Sequence, residues 1–216
     1  MLHEIFRQFV LDLRQTGWLE FTAVVAGILS VWYSRTENIF VYPTGLVNTI
    51  AYVYLSFKMS LLGEASVNLY YTALNIYGWI AWTRKDRQQQ YILHVTRSTP
   101  REWSLQLIFF GFFYTVTFFA LTYLKKNFAP LAIPWADAFA SATAYTGMWL
   151  MTRKKLESWY WWLATNLSSI PLYFVKHYVF TSVYYVVLLI LAIGGLVEWT
   201  KRSKAVNPTE HVNATA

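Results

Sequence analysis

Charged residues cut the chain into seven apolar stretches, each near the length of a membrane crossing. They run from Trp18 to Ser34, Asn38 to Phe57, Glu64 to Thr83, Ser104 to Leu124, Trp135 to Thr152, Ser158 to Val175 and Tyr178 to Val197. A helix rising about 1.5 Å per residue needs roughly 20 predominantly apolar residues to cross the hydrocarbon core. The second, fourth, sixth and seventh stretches hold no charged side chain. With 56% hydrophobic and 13% charged residues, the chain has too little polar material to cover a water-facing surface. The fold expected is all-α and integral to the membrane, with the lipid bilayer as its solvent.

The flanks read differently. Ile5, Phe6, Phe9, Val10 and Leu13 recur at helical spacing, while Glu4, Arg7, Asp12 and Arg14 interrupt the apolar run a signal peptide would need. Residues 1–17 are therefore expected to lie on the membrane as an amphipathic segment. Residues 201–216 are polar, contain Pro208 and are expected to form a disordered tail.

Lys and Arg in alternate connections give the orientation. Six fall on one side (Arg7, Arg14, Lys58, Lys125, Lys126, Lys176) and the other twelve on the opposite side, including Arg35, Arg84, Lys85, Arg153 to Lys155 and Lys201. This bias predicts a cytoplasmic C-terminus and an N-terminus outside. The basic residues sit in short clusters beside apolar runs, a pattern of membrane orientation rather than of nucleic-acid binding.

An offset of 117 to 118 residues lays the first three stretches on the last three. Trp18-Leu19-Glu20 meets Trp135-Ala136-Asp137, Ser34-Arg35 meets Thr152-Arg153, Asn48 meets Asn166 and Lys58 meets Lys176. With one gap, Trp82 to Lys85 meets Trp199 to Arg202. Three spans reverse the chain across the membrane, and a fourth restores its direction, so the copies are expected as parallel repeats in a 3+1+3 arrangement. The expected divisions are a first repeat at 18–83, a loop, linker helix and loop at 84–134, and a second repeat at 135–200. Two similar halves around one path near the midplane suit alternating access, so transport is the function class this pattern favours.

Several classes of chemistry are excluded. The chain has no cysteine, so thiolate metal sites, iron–sulfur clusters and cysteine nucleophiles drop out. His3, His94, His177 and His211 lie outside the spans without a metal-binding spacing, and no phosphate-binding glycine motif is present. No catalytic residue, metal site or cofactor is expected, and an enzyme would need a mid-depth nucleophile or acid pair that the spans lack. Glu20, Glu64, Asp137, Glu157 and Glu198 all fall near span ends. Ion coupling commonly uses a carboxylate at mid-depth, so facilitated diffusion is expected.

Polar aromatic stripes mark the candidate site. In the third span Asn68, Tyr71, Thr72, Asn75 and Trp79 share one face at about 100° per residue. In the sixth, Trp159, Trp162, Asn166, Ser169 and Tyr173 do so, and Asn48 supplies an amide from the second. Such residues glue helices together, or they line a cavity for a small flat polar ligand. Indole and phenol faces attract cations, and Asn offers a donor and an acceptor. An aromatic cation bearing an amide or hydroxyls fits without a buried carboxylate, and a neutral nucleoside or vitamin also fits.

At these residues the chain resembles the PnuC family of bacterial vitamin-uptake transporters over nearly its whole length. The resembling stretches are Trp18-Leu19-Glu20, Val31 to Pro43, Asn75 to Trp82 and Met151 to Trp159. The sharpest is Trp159-x-x-Trp162-x-x-x-Asn166, which is similar to the WxxWxxxN motif of nicotinamide riboside carriers. The resemblance implies the 3+1+3 fold in the inner membrane, a homotrimer, and facilitated diffusion of an unphosphorylated vitamin drawn forward by cytoplasmic phosphorylation. It implies nicotinamide riboside, or thiamine as in the sister branch PnuT. Many riboside carriers have Gln where the third-span stripe begins, whereas this chain has Asn68.

Overall fold

Each apolar stretch becomes a helix in the computed structural model, which describes residues 17–58, 62–126 and 132–206 together with Arg7 and Pro130. The helices are α1 (Trp18–Arg35), α2 (Val41–Lys58), α3 (Leu62–Thr83), α4 (Pro100–Leu124), α5 (Pro134–Thr152), α6 (Ser158–Val175) and α7 (Val179–Val206). Among the described residues the only β pairing is two isolated bridges, Lys85 with Tyr91 and Thr96 with Lys155. The expected amphipathic segment at 1–17 lies almost wholly outside the described residues, as do residues 207–216 of the tail.

Most helix ends lie within a few residues of those read in the sequence, and two move further. Helix α4 starts at Pro100 because Thr99 and Glu102 cap each other reciprocally and proline suits the first helical position. Helix α7 runs to Val206, past the apolar run that ends at Val197, because Arg202 pairs with Glu198 one turn back and with Glu37. Residues 201–206 are thus helix rather than tail. By length and hydropathy, α4 and the Val179–Lys204 part of α7 are apolar enough to cross a membrane. The other helices interrupt their apolar faces with Asn, Thr, Tyr and Gly.

Consecutive helices pack as α1–α2–α3 and as α5–α6–α7, with α1 against α7 and α3 against α5 closing a ring of six. Helix α4 packs outside this ring on α5 and reaches α6 through Gln106, whose Oε1 accepts from Trp161 Nε1 at 3.0 Å. Gln106 Nε2 donates to Ser98 Oγ, which in turn donates to Glu157 Oε2. This buried chain of bonds anchors the α3–α4 connection to the head of α6.

Positions 117 residues apart make matching contacts. Tyr42 meets Trp82 edge-on at 5.1 Å, and Trp159 meets Trp199 edge-on at 5.5 Å. Gly78 lets α3 close over Tyr42, where a Cβ would stand 2.3 Å from the ring. Gly195 lets α7 close over Trp159 in the same way, at 2.4 Å. The two aromatic pairs meet where Trp82 and Trp199 lie 6.3 Å apart.

Above this aromatic layer the loops after α1 and α5 join. Glu37 and Lys154 each follow a helix C-cap with positive φ, 56° and 52°. Glycine ordinarily takes such positions, and another residue costs roughly 1 to 2 kcal/mol there. The two side chains pair at 2.7 Å, and Arg202 adds a second contact to Glu37 at 2.8 Å. Burial pushes the Glu37 carboxyl up, but the hydrogen bonds and charges of Lys154 and Arg202 outweigh it and hold the group below its ordinary 4.5. Such a carboxylate contributes its stability fully above 4.5 and loses it as pH falls through the lowered folded value. The difference in melting temperature between native protein and Glu37→Gln is therefore expected to shrink as pH drops below about 4.5. A constant difference would show that the pair contributes nothing titratable.

Candidate functional site

Helix α6 splits its stripe between two environments. Trp159 is 1% exposed and packs in the core with Tyr42, Trp82, Leu156 and Trp199. Three residues on, Trp162 turns toward α3 and α5: its ring lies 6.4 Å from Tyr71 and over Gly147, where a Cβ would stand 3.2 Å away. Tyr145 of α5 continues the cluster, 6.4 Å from Tyr71 and edge-on to Tyr70 at 4.8 Å. The Tyr70 hydroxyl donates to the Tyr145 carbonyl at 3.2 Å. The two tryptophans of the stripe thus stand in different surroundings: Trp162 faces the tyrosines, and Trp159 is packed beneath Gly195 with its Nε1 unpaired.

One and two turns beyond Trp162, Asn166 and Ser169 are 2% and 1% exposed. Asn166 Oδ1 and Ser169 Oγ have no hydrogen-bond partner. A buried polar atom left unpaired costs about 1 to 3 kcal/mol, so these two, with Trp159 Nε1 on the same face of the helix, call for an explanation. The first triplet supplies a contrast. Thr49, the counterpart of Asn166 at the interval of 117, pairs with Thr72 of α3 at 2.9 Å. The counterpart of Thr72 is Leu189, which offers Asn166 nothing polar.

This register also corrects the match of Asn48 with Asn166. Asn48 Nδ2 donates to the Ala23 carbonyl of α1 at 2.7 Å, and its counterpart Thr165 bonds Thr143 of α5 at 3.0 Å. Both face the preceding helix, so Asn48 corresponds to Thr165. Gly27 makes room for Asn48 and for the Tyr184 hydroxyl together, since a Cβ there would lie 2.8 Å and 2.4 Å from them.

Of the α3 stripe, Tyr71 enters the aromatic cluster and Thr72 bonds both Thr49 and the Asn68 carbonyl. Asn75 is 4% exposed and packs on Gly45. Asn68 is half-buried. Trp79 is 39% exposed and stands outside the cluster, because the buried face of this turn belongs to Gly78 beneath Tyr42. Tyr173 stacks on Tyr185 at 5.2 Å with Lys176 Nζ over its ring, near the end of α6. Tyr70, Tyr145, Tyr184 and Tyr185 were not singled out in the sequence, where adjacent or single tyrosines in apolar helices carry no periodic signal. Gly147 and Gly27 are the small residues that admit their neighbours.

Two apolar grooves lie elsewhere, one bounded by Phe110, Tyr114, Trp135, Phe139 and Ser168 and one between α1 and α2 at Phe21, Leu29 and Val47. Neither includes a residue of the stripes. Among the described residues, no group of three or more acidic or histidine side chains could hold a metal ion. The arrangement offers flat aromatic faces beside an unpaired amide oxygen and hydroxyl, which suits binding rather than covalent chemistry.

Comparison with known proteins agrees with this. A family model described as nicotinamide mononucleotide transporter matches residues 17–201. The chain is 26% identical over 208 residues to the nicotinamide riboside transporter PnuC of Escherichia coli (strain K12), covering 87% of each chain. It is 24% identical over 198 residues to the riboflavin/roseoflavin transporter RibM of Streptomyces davaonensis, covering 91% of each. Its fold is similar to the crystal structure of the vitamin B3 transporter PnuC, with a TM-score of 0.72 at 24% identity over 94% of this chain and 90% of the other.

Proposed function

The chain belongs to the PnuC, or nicotinamide mononucleotide transporter, family, and from that premise we propose that it carries nicotinamide riboside across the inner membrane by facilitated diffusion. The observation that carries this reading is the pair of unpaired buried atoms, Asn166 Oδ1 and Ser169 Oγ, on the helix that presents Trp162 to Tyr71. A pyridinium ring suits the aromatic faces, and the carboxamide and ribose hydroxyls can donate to the unpaired oxygens. Site residues in this proposal are Trp162, Asn166, Ser169, Tyr71, Thr72 and Asn75, with Asn48, Asn68 and Tyr173 around them.

The matching contacts 117 residues apart support two parallel three-helix repeats, 18–83 and 135–200, joined through α4. Substrate would move between them by alternating access, trapped afterwards by cytoplasmic phosphorylation, in a homotrimer whose C-termini face the cytoplasm. RibM supports a second reading, since a flat flavin ring also suits the cluster; thiamine, a thiazolium cation, is the third.

Uptake into proteoliposomes separates these readings when nicotinamide riboside, thiamine and riboflavin are compared. Nicotinamide riboside is expected to equilibrate at clamped potential without accumulating, and an imposed proton or sodium gradient is expected to leave the end point unchanged. Gradient-driven accumulation of unmodified substrate would overturn the uncoupled mechanism, and uptake of riboflavin or thiamine alone would reassign the substrate.

A further inference from the structure

The two triplets differ by a reciprocal exchange of size at one pair of matching positions. In the first, Gly45 of α2 faces Asn75 of α3, and a Cβ at Gly45 would stand 2.5 Å from Asn75 Oδ1 and 3.1 Å from Nδ2. The whole carboxamide therefore lies across the Gly45 backbone. At the interval of 117, the second triplet has Trp162 in place of Gly45 and Ala192, 1% exposed, in place of Asn75. One triplet contributes a hydrogen and an amide, the other an indole and a methyl.

We propose that Gly45 is a specificity-determining position, holding the Asn75 carboxamide where it reads the amide-type edge of a flat heterocycle that stacks on Trp162. This rests on the transport reading above and adds to it which side chain selects the substrate. Asn75 is 4% exposed, and both polar atoms of its carboxamide lie against the Gly45 backbone. One turn earlier on α3, the Tyr71 ring lies 6.4 Å from that of Trp162, which sets the amide one turn from the residue that meets the indole. A carboxamide presents one donor and one acceptor side by side and pairs with a ligand edge presenting the complement. The exchange makes the site one-sided, with the ring read from α6 and the edge from α3. A larger residue at 45 would displace the amide, because the contact there is with both of its polar atoms.

The test is equilibrium binding of nicotinamide riboside, and of the same pyridinium riboside lacking its carboxamide, to purified full-length protein. Native protein is expected to prefer the carboxamide by about 10- to 100-fold, the discrimination of a buried hydrogen-bonded group. Asn75→Leu, similar in size, is expected to reduce that preference to less than about 3-fold while keeping affinity for the truncated compound. Gly45→Ala is expected to lower the preference in the same direction, whereas a variant that only loosens helix packing lowers both affinities equally. If Gly45→Ala does not fold, Asn75→Leu carries the test. Native preference retained in Asn75→Leu overturns the proposal; native protein that binds neither compound overturns the nicotinamide riboside reading instead.

Discussion

Asn166→Ala, purified as a monodisperse protein, is expected to bind its substrate about 5- to 150-fold more weakly than native protein, the effect of about 1 to 3 kcal/mol lost when a buried substrate donor finds no acceptor. Trp162→Ala is expected to weaken binding of a cationic ring through the loss of about 0.5 to 2 kcal/mol of ring attraction, part of which Phe should restore. Trp159→Ala is expected to behave differently. Its ring fills the core between Tyr42, Leu156 and Trp199 and is clasped by Gly195. Truncating it opens a large cavity, with a cost of about 3 to 5 kcal/mol in stability. Yield and melting temperature should fall while the surviving folded protein keeps its affinity. Thermal unfolding and ligand titration on the same preparations separate the two effects; native affinity in both Asn166→Ala and Trp162→Ala would remove α6 from the site.

The contrast between Trp159 and Trp162 shows where sequence reasoning runs out. Helices were legible because charge and proline punctuate long apolar runs, and the ends that moved did so for reasons outside hydropathy: a capping box at Thr99 and an ion-pair network at Arg202. The stripe on α6 was legible as a face, since i and i+3 neighbours share one. Which of two neighbouring helices each tryptophan meets depends on glycines far away in sequence, Gly195 on α7 for Trp159 and Gly147 on α5 for Trp162. The internal similarity read in the sequence left its register open between 117 and 118 residues. Matching amide to amide drew Asn48 onto Asn166, and only the directions of their hydrogen bonds show that Asn48 corresponds to Thr165. The tyrosines that complete the cluster gave no signal, because α5 supplies Tyr145 from a helix otherwise rich in Ala and Thr.

Glu37→Gln is expected to open the end of the molecule at which the two triplets are tied. The described ion pairs between the triplets, Glu37 with Lys154 and with Arg202, lie together there. Trp199 Nε1 reaches across to the Ser34 carbonyl at 3.1 Å in the same region. At the opposite end Asp137 pairs with Lys176 inside the second triplet, so that contact does not resist separation of the halves. The tied end carries Arg153 to Lys155 and the C-terminal part of α7, the side that the basic bias assigns to the cytoplasm. The Lys154 side chain is 9% exposed, and stripping a buried charge of its partner costs about 3 to 5 kcal/mol. Even about 1.4 kcal/mol of that would shift a closed-to-open equilibrium tenfold. Because the chain has no cysteine, a single one placed at Ser169 can be followed without background. Its labelling by an impermeant maleimide from the cytoplasmic face is expected to quicken at least about tenfold in the Glu37→Gln background. Lys154→Gln should quicken it less, since Glu37 keeps Arg202. The double variant should add little to Glu37→Gln alone, as expected for residues of one network. Unchanged labelling in Glu37→Gln would sink the idea that this pair holds the end shut. A larger effect of Lys154→Gln than of Glu37→Gln would place the closure in Lys154 and Trp82, whose ring lies 4.6 Å from the Lys154 ammonium, rather than in the carboxylate.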